Sequence, residues 1–283
     1  MRSMLVRLLL LIWMAGAAEA SRLPDEFDAY MFVDGEVSVS DIGRVTTHRI
    51  DTEVEPQIKA LVDRVVSRWL FEPVRIGDAA SAFTSSMRVT LHGVAKGDDL
   101  IVRVEDVEFR GSAASRQGDS VDRSIRATGN EPPHYPREAL LSRIQGSTTI
   151  ALRIDRDGRV VDAAVSHTDL VGRSRSERTL TRARGLLERS SLNALKQWRF
   201  ALADNAIPEG KSTTSVLIPV AYSVSDGSDK GWIEAGRWTI LTMGQKQRID
   251  WLGDGEVAAA LGSNGAGSTL PVRLLTQPDG NAL

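Results

Sequence analysis

The chain contains no cysteine among its 283 residues. Disulfide bonds and a lipid-modified cysteine anchor are therefore excluded, and packing alone must stabilise the fold. Aromatic residues make up only 5%, and neither sign of charge dominates, since the formal net charge is −2. The chain as a whole thus has no electrostatic attraction to nucleic acid. With 42% hydrophobic and 25% charged residues, the composition is that of a globular protein long enough for two modest domains.

Long apolar runs are also absent. The run from Leu8 to Ala18 covers 11 residues, whereas a membrane-spanning helix needs about 20. Arg2 and Arg7 precede this run, and the small residues of Ala18-Glu19-Ala20 follow it. This order predicts a secretory signal peptide over residues 1–20 that is cleaved after Ala20. The alternative is an uncleaved amino terminus that anchors the protein in the inner membrane.

Patterns of catalytic and metal-binding residues are equally scarce. The four histidines, at positions 48, 92, 134 and 167, show no metal-ligand spacing such as H-x-x-x-H. Gly118-Asp119-Ser120 resembles part of a hydrolase nucleophile motif, but it lies in a polar stretch with no preceding strand to hold it. We therefore assign no catalytic residue, no cofactor and no metal. A hydrolase remains a third possibility that depends on Ser120 alone.

A pattern of strand, tight turn, strand and helix occurs twice. The later copy has a strand from Ser147 to Ile154, a turn at Gly158, a strand from Arg159 to Val165 and a helix ending on Trp198-Arg199-Phe200. The earlier copy has a strand at Val37 to Val39, a turn at Gly43 and a helix from Glu53 to Arg68 followed by Trp69-Leu70-Phe71. The turn glycines are 158 − 43 = 115 residues apart and the tryptophans 198 − 69 = 129 apart, so the later copy carries 14 extra residues. We interpret the pattern as one module present twice.

Two further segments define the predicted boundaries. A polar stretch from Arg110, rich in Ser, Gly, Arg and Asp, predicts an inter-domain linker. A strand is predicted from Thr213 to Val224, and Pro219 within it favours an edge or a position without a ladder hydrogen bond. The predicted organisation is a signal peptide (1–20), a first domain (21–109), a linker (110–130), a second domain (131–224) and a partly disordered C-terminal extension (225–283).

Four motifs of the later copy resemble, in order and spacing, those of the C-terminal domain of TonB, the energy transducer of Gram-negative envelopes. They are Pro133-His134-Tyr135-Pro136, then Ala139 and Gly146, the strand into Asp155-Arg156-Asp157-Gly158-Arg159-Val160, and Ala194-Leu195-Lys196-Gln197-Trp198-Arg199-Phe200. The resemblance covers roughly residues 131 to 224. The first domain looks like a degenerate second copy, because it keeps Trp69-Leu70-Phe71-Glu72-Pro73 but lacks the P-x-Y-P lead.

This resemblance implies an α+β fold of two tandem TonB C-terminal-like domains, each an antiparallel sheet of about three strands backed by helices. It also implies a periplasmic location and a partner, namely a TonB-dependent outer-membrane receptor or another envelope protein. The domain binds such a partner through a short extended segment of the partner, which adds as a strand to an exposed sheet edge. The residues expected to bind it follow the helix of the later copy: Ser215, Val216, Ile218, Val220, Tyr222 and Ser223.

Two alternatives remain open from the sequence. The first is a periplasmic TonB-like protein that binds outer-membrane transporters and supports energy-dependent uptake. Because the chain has no long Pro-rich spacer and only a short apolar run, the alternative is an envelope scaffold or assembly protein that uses its modules for protein–protein interaction without transducing energy. In a scaffold the edge of one copy pairs with the edge of the other and closes the partner site. A basic run with Arg173, Arg175, Arg178 and Arg182 is either a solvated helix face or a contact for an acidic partner or for anionic lipid headgroups.

Overall fold

The computed structural model describes residues 26–76, 79–96, 99–116, 119–120, 124–128, 131–172, 176–224, 234–252, 259–268, 270 and 272–280. None of the helices in these ranges is long and apolar enough to cross a membrane. The predicted signal peptide lies outside the described residues and stays a prediction.

The described chain is a mixed α+β fold with strands in the majority. The first half contains β1 (Glu26–Val39), β2 (Val45–Ile50), α1 (Pro56–Val66), β3 (Val74–Ile76), β4 (Ala79–Lys96) and β5 (Asp99–Arg116). The middle and second half contain β6 (Asp119–Ser120), β7 (Ser124–Thr128), α2 (Arg137–Leu141), β8 (Gly146–Asp155), β9 (Val160–Val171), α3 (Glu177–Leu195), β10 (Arg199–Leu202) and β11 (Thr213–Tyr222). The C-terminal extension adds β12 (Leu241–Thr242), β13 (Ala259–Ala260) and β14 (Ala266–Ser268).

Each half packs one helix on one face of an antiparallel sheet. In the first half β1 lies between β2 and β4, and α1 begins at Pro56 and buries Ile58 and Val62 against this sheet. In the second half β8 lies between β9 and β11, and α3 buries Leu187 and Leu195 against Ile150. The apolar residues recur every three or four positions, which places them on one face of each helix and explains the packing.

A glycine turn ties the hairpin of each half to the residues after its helix. The Phe71 amide donates to the Gly43 carbonyl at 2.8 Å, and the Phe200 amide donates to the Gly158 carbonyl at 2.9 Å. Both glycines have positive φ, +80° and +74°, and a Cβ atom there would lie 2.0 Å and 1.9 Å from the carbonyl oxygens of Phe71 and Phe200. Only glycine fits this approach, so the repeated Gly and Trp-x-Phe signals of the sequence belong to one junction.

The two halves do not keep separate sheets. Their strands join in one 11-stranded sheet of order β12-β9-β8-β11-β13-β5-β4-β1-β2, with β3 beside β4 and β6 beside β5. The expectation of two tandem domains with sheets of about three strands is wrong in this respect. The reason is β13, which pairs in parallel with β11 and also pairs with β5 at Arg110.

The C-terminal extension also joins the two ends of this sheet. Thr239 and Tyr30 exchange two backbone hydrogen bonds of 2.8 Å, which adds the extension to β1. A few residues later, Leu241 of β12 pairs with Val171 of β9. The strands from β12 round to β1 therefore form a closed ring, because each one pairs with the next.

A smaller sheet of order β10-β7-β14 covers the end of α3. The stretch predicted as a linker contains β7, which pairs antiparallel with β10. It also contains the last residues of β5, which continues to Arg116.

We expect the glycine junction to dominate the local stability of the second half. Gly158→Ala puts a methyl group against the Phe200 carbonyl, whereas Gly210→Ala is a matched control, since Gly210 has φ +75° and no atom within 4 Å of its Cβ position. Both variants place alanine at a positive φ, which is strained, but only Gly158→Ala also has the clash. The free energy of unfolding of Gly158→Ala should therefore be lower than that of Gly210→Ala by at least about 1–2 kcal/mol. Chemical denaturation of both variants measures the difference. Equal stabilities would show that the junction tolerates a side chain.

Candidate functional site

The predicted partner-binding strand exists as β11, and half of its side chains form the core. β11 pairs with β8 without a register shift, from Thr213 opposite Asp155 to Tyr222 opposite Gly146. Four of the six predicted binding residues have buried side chains that face the helices: Val216, Ile218, Val220 and Tyr222. Ser215 and Ser223 are half-buried. A partner that adds to this strand must therefore use its backbone rather than these apolar side chains.

The Pro-x-Tyr-Pro lead helps to fix β11. The ring of Tyr135 packs edge-on against Tyr222, with 5.4 Å between centroids, and its hydroxyl donates to the Ile144 carbonyl. The Tyr222 hydroxyl lies 2.9 Å from Ser191 Oγ on α3, and burial raises its pKa. This motif is a structural anchor for the end of β11, because it clamps the strand between α3 and the lead.

The outer edge of β11 is formed by its odd-numbered residues. Leu217 accepts a hydrogen bond of 2.8 Å from the Leu261 amide, so its backbone polar groups point away from β8. Because these groups alternate along a strand, Pro219 and Ala221 also direct theirs outward. Pro219 therefore removes one N–H donor from the outer edge and removes no hydrogen bond between β11 and β8. This agrees with the expectation that Pro219 occupies a position without a ladder bond.

The same edge is already partly occupied by the C-terminal extension. Ala259 and Ala260 of β13 pair in parallel with Val216 and Leu217. After Leu261 the chain turns away, with the Gly265 amide donating to the Gly262 carbonyl at 2.9 Å. In the described part of the chain no strand lies beside residues 218–222 of β11. The edge is therefore filled at its centre and open towards its C-terminal end.

A cleft of about 180 Å³ lies beside this edge, between the two halves. One wall consists of Leu217 and Pro219 with residues of β8 and β9, and the other is the stretch of β5 from Val107 to Arg110. Leu217, Pro219 and Glu108 are on sheet faces that point away from the helices, whereas Val107, Phe109 and Val272 belong to the first-half core. The cleft lining is: Val107, Glu108, Phe109, Arg110, Thr149, Ser166, His167, Leu217, Pro219, Lys246, Ala259, Ala260 and Val272.

Charged groups line the β5 side of the cleft. Glu108 is ion-paired with Arg110. Burial opposes ionisation of Glu108, but the charge and hydrogen bond of Arg110, with smaller contributions from His167 and Arg88, outweigh it and lower the pKa of Glu108. Arg88 is in turn held by a two-pronged hydrogen bond to Asp34, with distances of 2.6 and 2.7 Å. The cleft wall is thus a set of neutralised pairs rather than a patch of one sign.

The β9 side carries a buried carboxylate. Asp169 accepts a hydrogen bond of 2.7 Å from the Gly244 amide, and its Oδ2 lies 3.8 Å from His167 Nε2. Burial raises the pKa of Asp169 despite the nearby His167. The C-terminal extension is therefore attached to β9 through a carboxylate as well as through β12.

Only part of the predicted basic patch lies within the described residues. Arg173 and Arg175 lie outside the described residues. Arg178 is exposed near the start of α3, and Arg182 pairs with Glu138 of α2 at 2.5 Å, with both side chains largely exposed. An exposed pair of this kind adds little stability. Its role as a contact surface stays a prediction.

Sequence reasoning missed β13 and the charged wall of the cleft. Two alanines in a Gly-rich stretch show no alternation, so no pattern marks β13 as a strand. Glu108 and Arg110 do alternate with Val107 and Phe109, which indicates a strand with one polar face. The residues that cover this polar face come from the second half, so the sequence around Glu108 does not indicate them.

Acid should weaken the fold through Glu108. Because its pKa is lower in the folded state, its ion pair stabilises the protein above the ordinary glutamate pKa, and this stability is lost as the pH falls through the folded value. Glu108→Gln should lower the free energy of unfolding at neutral pH by about 1–2 kcal/mol. It should also reduce the further loss between about pH 5 and pH 3. Thermal unfolding across this range measures both effects.

Asp157→Asn is the control, because Asp157 belongs to an exposed pair with Arg159. This variant should keep the wild-type acid dependence of stability. An unchanged acid dependence in Glu108→Gln would contradict the role of the Glu108 ion pair.

Comparison with known proteins matches the region that holds the P-x-Y-P lead and the central hairpin. Residues 131–170 match the family described as Gram-negative bacterial TonB protein C-terminal. No curated protein and no solved structure matches the chain significantly. The matched stretch begins at Glu131, whose carbonyl accepts the Trp198 indole N–H at 3.0 Å, and it ends within β9. The resemblance inferred from the sequence is confirmed for these residues, which are similar to the TonB C-terminal family.

Proposed function

We propose that the protein is a periplasmic envelope protein that binds an extended segment of an outer-membrane partner by adding it as a strand to β11. The family match supports a TonB-like role in interactions between envelope proteins. On this proposal the partner is a TonB-dependent receptor, and its short segment lies along the outer edge of β11 at the mouth of the cleft. The partner-binding groups are the outward-facing backbone atoms of the open part of this edge, beyond Leu217.

The observation that carries this proposal is a difference between the two halves. In the first half the outer edge of β4 is covered by β5 over nearly its whole length, from Ala82 opposite Ser115 to Lys96 opposite Asp99. We infer that the first half is a second, altered copy of the module, since it has the same hairpin, glycine junction and helix, and that β4 corresponds to β11. Beside β11, only Ala259 and Ala260 of the described residues occupy that position. A partner strand would fill the place that β5 fills in the first half.

The open part of the edge limits what can bind. Beyond Leu217 it presents the Pro219 carbonyl and both polar groups of Ala221, because these residues face away from β8. One donor and two acceptors suit a short segment and give modest affinity by backbone bonds alone. The apolar cleft wall of Leu217, Pro219 and Val107 is suited to add side-chain contacts that give specificity.

A second candidate is a scaffold that transduces no energy and binds no receptor segment. It is favoured by β13, since a strand of the protein itself already satisfies the centre of the β11 edge. The two candidates differ in whether a peptide can pair with residues 218–222. Peptide binding therefore separates them.

Ala221→Pro tests the edge without touching the ladder. The Ala221 amide points outward and its side chain is exposed, so proline removes the edge donor and leaves the β8 pairing intact. We expect the affinity for peptides that carry receptor TonB boxes to fall roughly tenfold, from the lost hydrogen bond and the steric effect of the ring. Fluorescence anisotropy with labelled peptides measures it.

Ala221→Val is the matched control, because it keeps the N–H and should retain binding. Circular dichroism and thermal unfolding must show that all three proteins are folded. Val220→Pro is unsuitable as a test, since the Val220 amide faces β8 and its loss would damage the core ladder. A folded wild-type protein that binds none of the peptides would favour the scaffold.

A further inference from the structure

The C-terminal end of the chain forms a strand against the first half. The Leu275 amide donates to the Leu70 carbonyl at 2.7 Å, and the Glu72 amide donates to the Arg273 carbonyl at 2.9 Å. Phe71 and Leu274 are therefore opposite each other in an antiparallel bridge. Four residues after Leu274, the Pro278 carbonyl accepts the Trp69 indole N–H at 3.0 Å.

The second half contains the same arrangement with a different segment. There β7 pairs antiparallel with β10, and Phe200 is opposite Ala127. Four residues after Ala127, the Glu131 carbonyl accepts the Trp198 indole N–H at 3.0 Å. The spacing is identical, 278 − 274 = 4 and 131 − 127 = 4. In both halves a Trp-x-Phe strand is paired with an extended segment whose register is set by the indole.

The origin of the paired segment differs between the halves. In the second half it lies directly before the module, in β7 and Glu131. In the first half it comes from the opposite end of the chain, since Pro278 is 209 residues from Trp69. The arriving segment is anchored by apolar side chains, because Val272 is buried in the first-half core and Leu274 packs against it. The first half thus has a groove that its own neighbouring sequence does not fill.

We propose that this groove, formed by Trp69 and the edge from Leu70 to Glu72, is a peptide-binding site whose ligand is the C-terminal segment Val272–Gly280. The segment replaces the lead strand that the first half lacks. Its recognition elements are the amide of Leu275, the apolar side chains of Val272 and Leu274, and the Pro278 carbonyl. A separate copy of the segment binds the same groove when the attached one is weakened.

The test uses the full chain and one backbone donor. Leu275→Pro removes the N–H that bonds to Leu70, whereas Leu275→Ala keeps it, and the side chain is 42% exposed, so the alanine change loses little packing. We expect the Glu72 amide to exchange roughly two- to tenfold faster in Leu275→Pro than in Leu275→Ala, which is the effect of one hydrogen bond. The Trp69 indole N–H resonance should shift in the proline variant only.

The binding step is tested by adding a synthetic peptide of residues 272–280. It should bind Leu275→Pro and restore the slow exchange of Glu72 and the Trp69 indole resonance, and a peptide with proline at position 275 should not. Equal exchange in the two variants, or failure of the peptide to bind Leu275→Pro, overturns the proposal. If Leu275→Pro does not fold, amide hydrogen exchange in the wild-type chain tests the proposal instead. Protected amides at Glu72 and Leu275 support the groove, and exchange at free-peptide rates refutes it.

Discussion

The unpaired backbone at strand edges is the constraint on which this structure depends. Buried or long open edges leave N–H and C=O groups without partners and invite association. Among the described residues, the C-terminal extension meets this constraint at four places: at β1 and β9 through the segment from Thr239 to Thr242, between β11 and β5 through β13, at β7 through β14, and at the Trp69 edge through Leu275. The two modules become one closed sheet because each contact satisfies an edge that a separate module would leave open.

Closure also determines where charge is placed. The sheet faces that point away from the helices now face each other across the cleft, and they carry Glu108, Arg110 and Asp169. These groups are tolerated because each has a partner: Arg110 for Glu108, and the Gly244 amide for Asp169. A carboxylate whose partner is removed would remain largely desolvated, which is costly. The contact between the halves is therefore polar on the cleft side, while each helix side has an apolar core.

The sequence predicts the local elements well and their assembly poorly. The amphipathic stripe from Ile58 to Val66, the alternation from Ser147 to Ile154 and the turn at Gly158 all rest on contacts within a short stretch, and the structure has them at the predicted places. The joining of the sheets depends on Ala259, Ala260 and Thr239, whose pairing partners lie far away in sequence. Such pairing depends on which edges remain open after the modules fold. The spacing of hydrophobic residues does not show which edges pair. The sequence therefore predicts two separate sheets where the structure has one closed sheet.

Asymmetry between the halves leaves part of the β11 edge without a neighbouring strand in the described residues. In the proposed duplication, β4 and β11 are the equivalent edges of the two copies. β5 covers the first almost completely, and it also carries the charged wall that faces the second. β13 pairs with only two residues of β11, and Pro219 removes one outward donor, which protects the remaining edge from indiscriminate pairing. The first half thereby forms one wall of the cleft, and the second half keeps a short edge, which in the proposed function favours a partner that also fits the cleft.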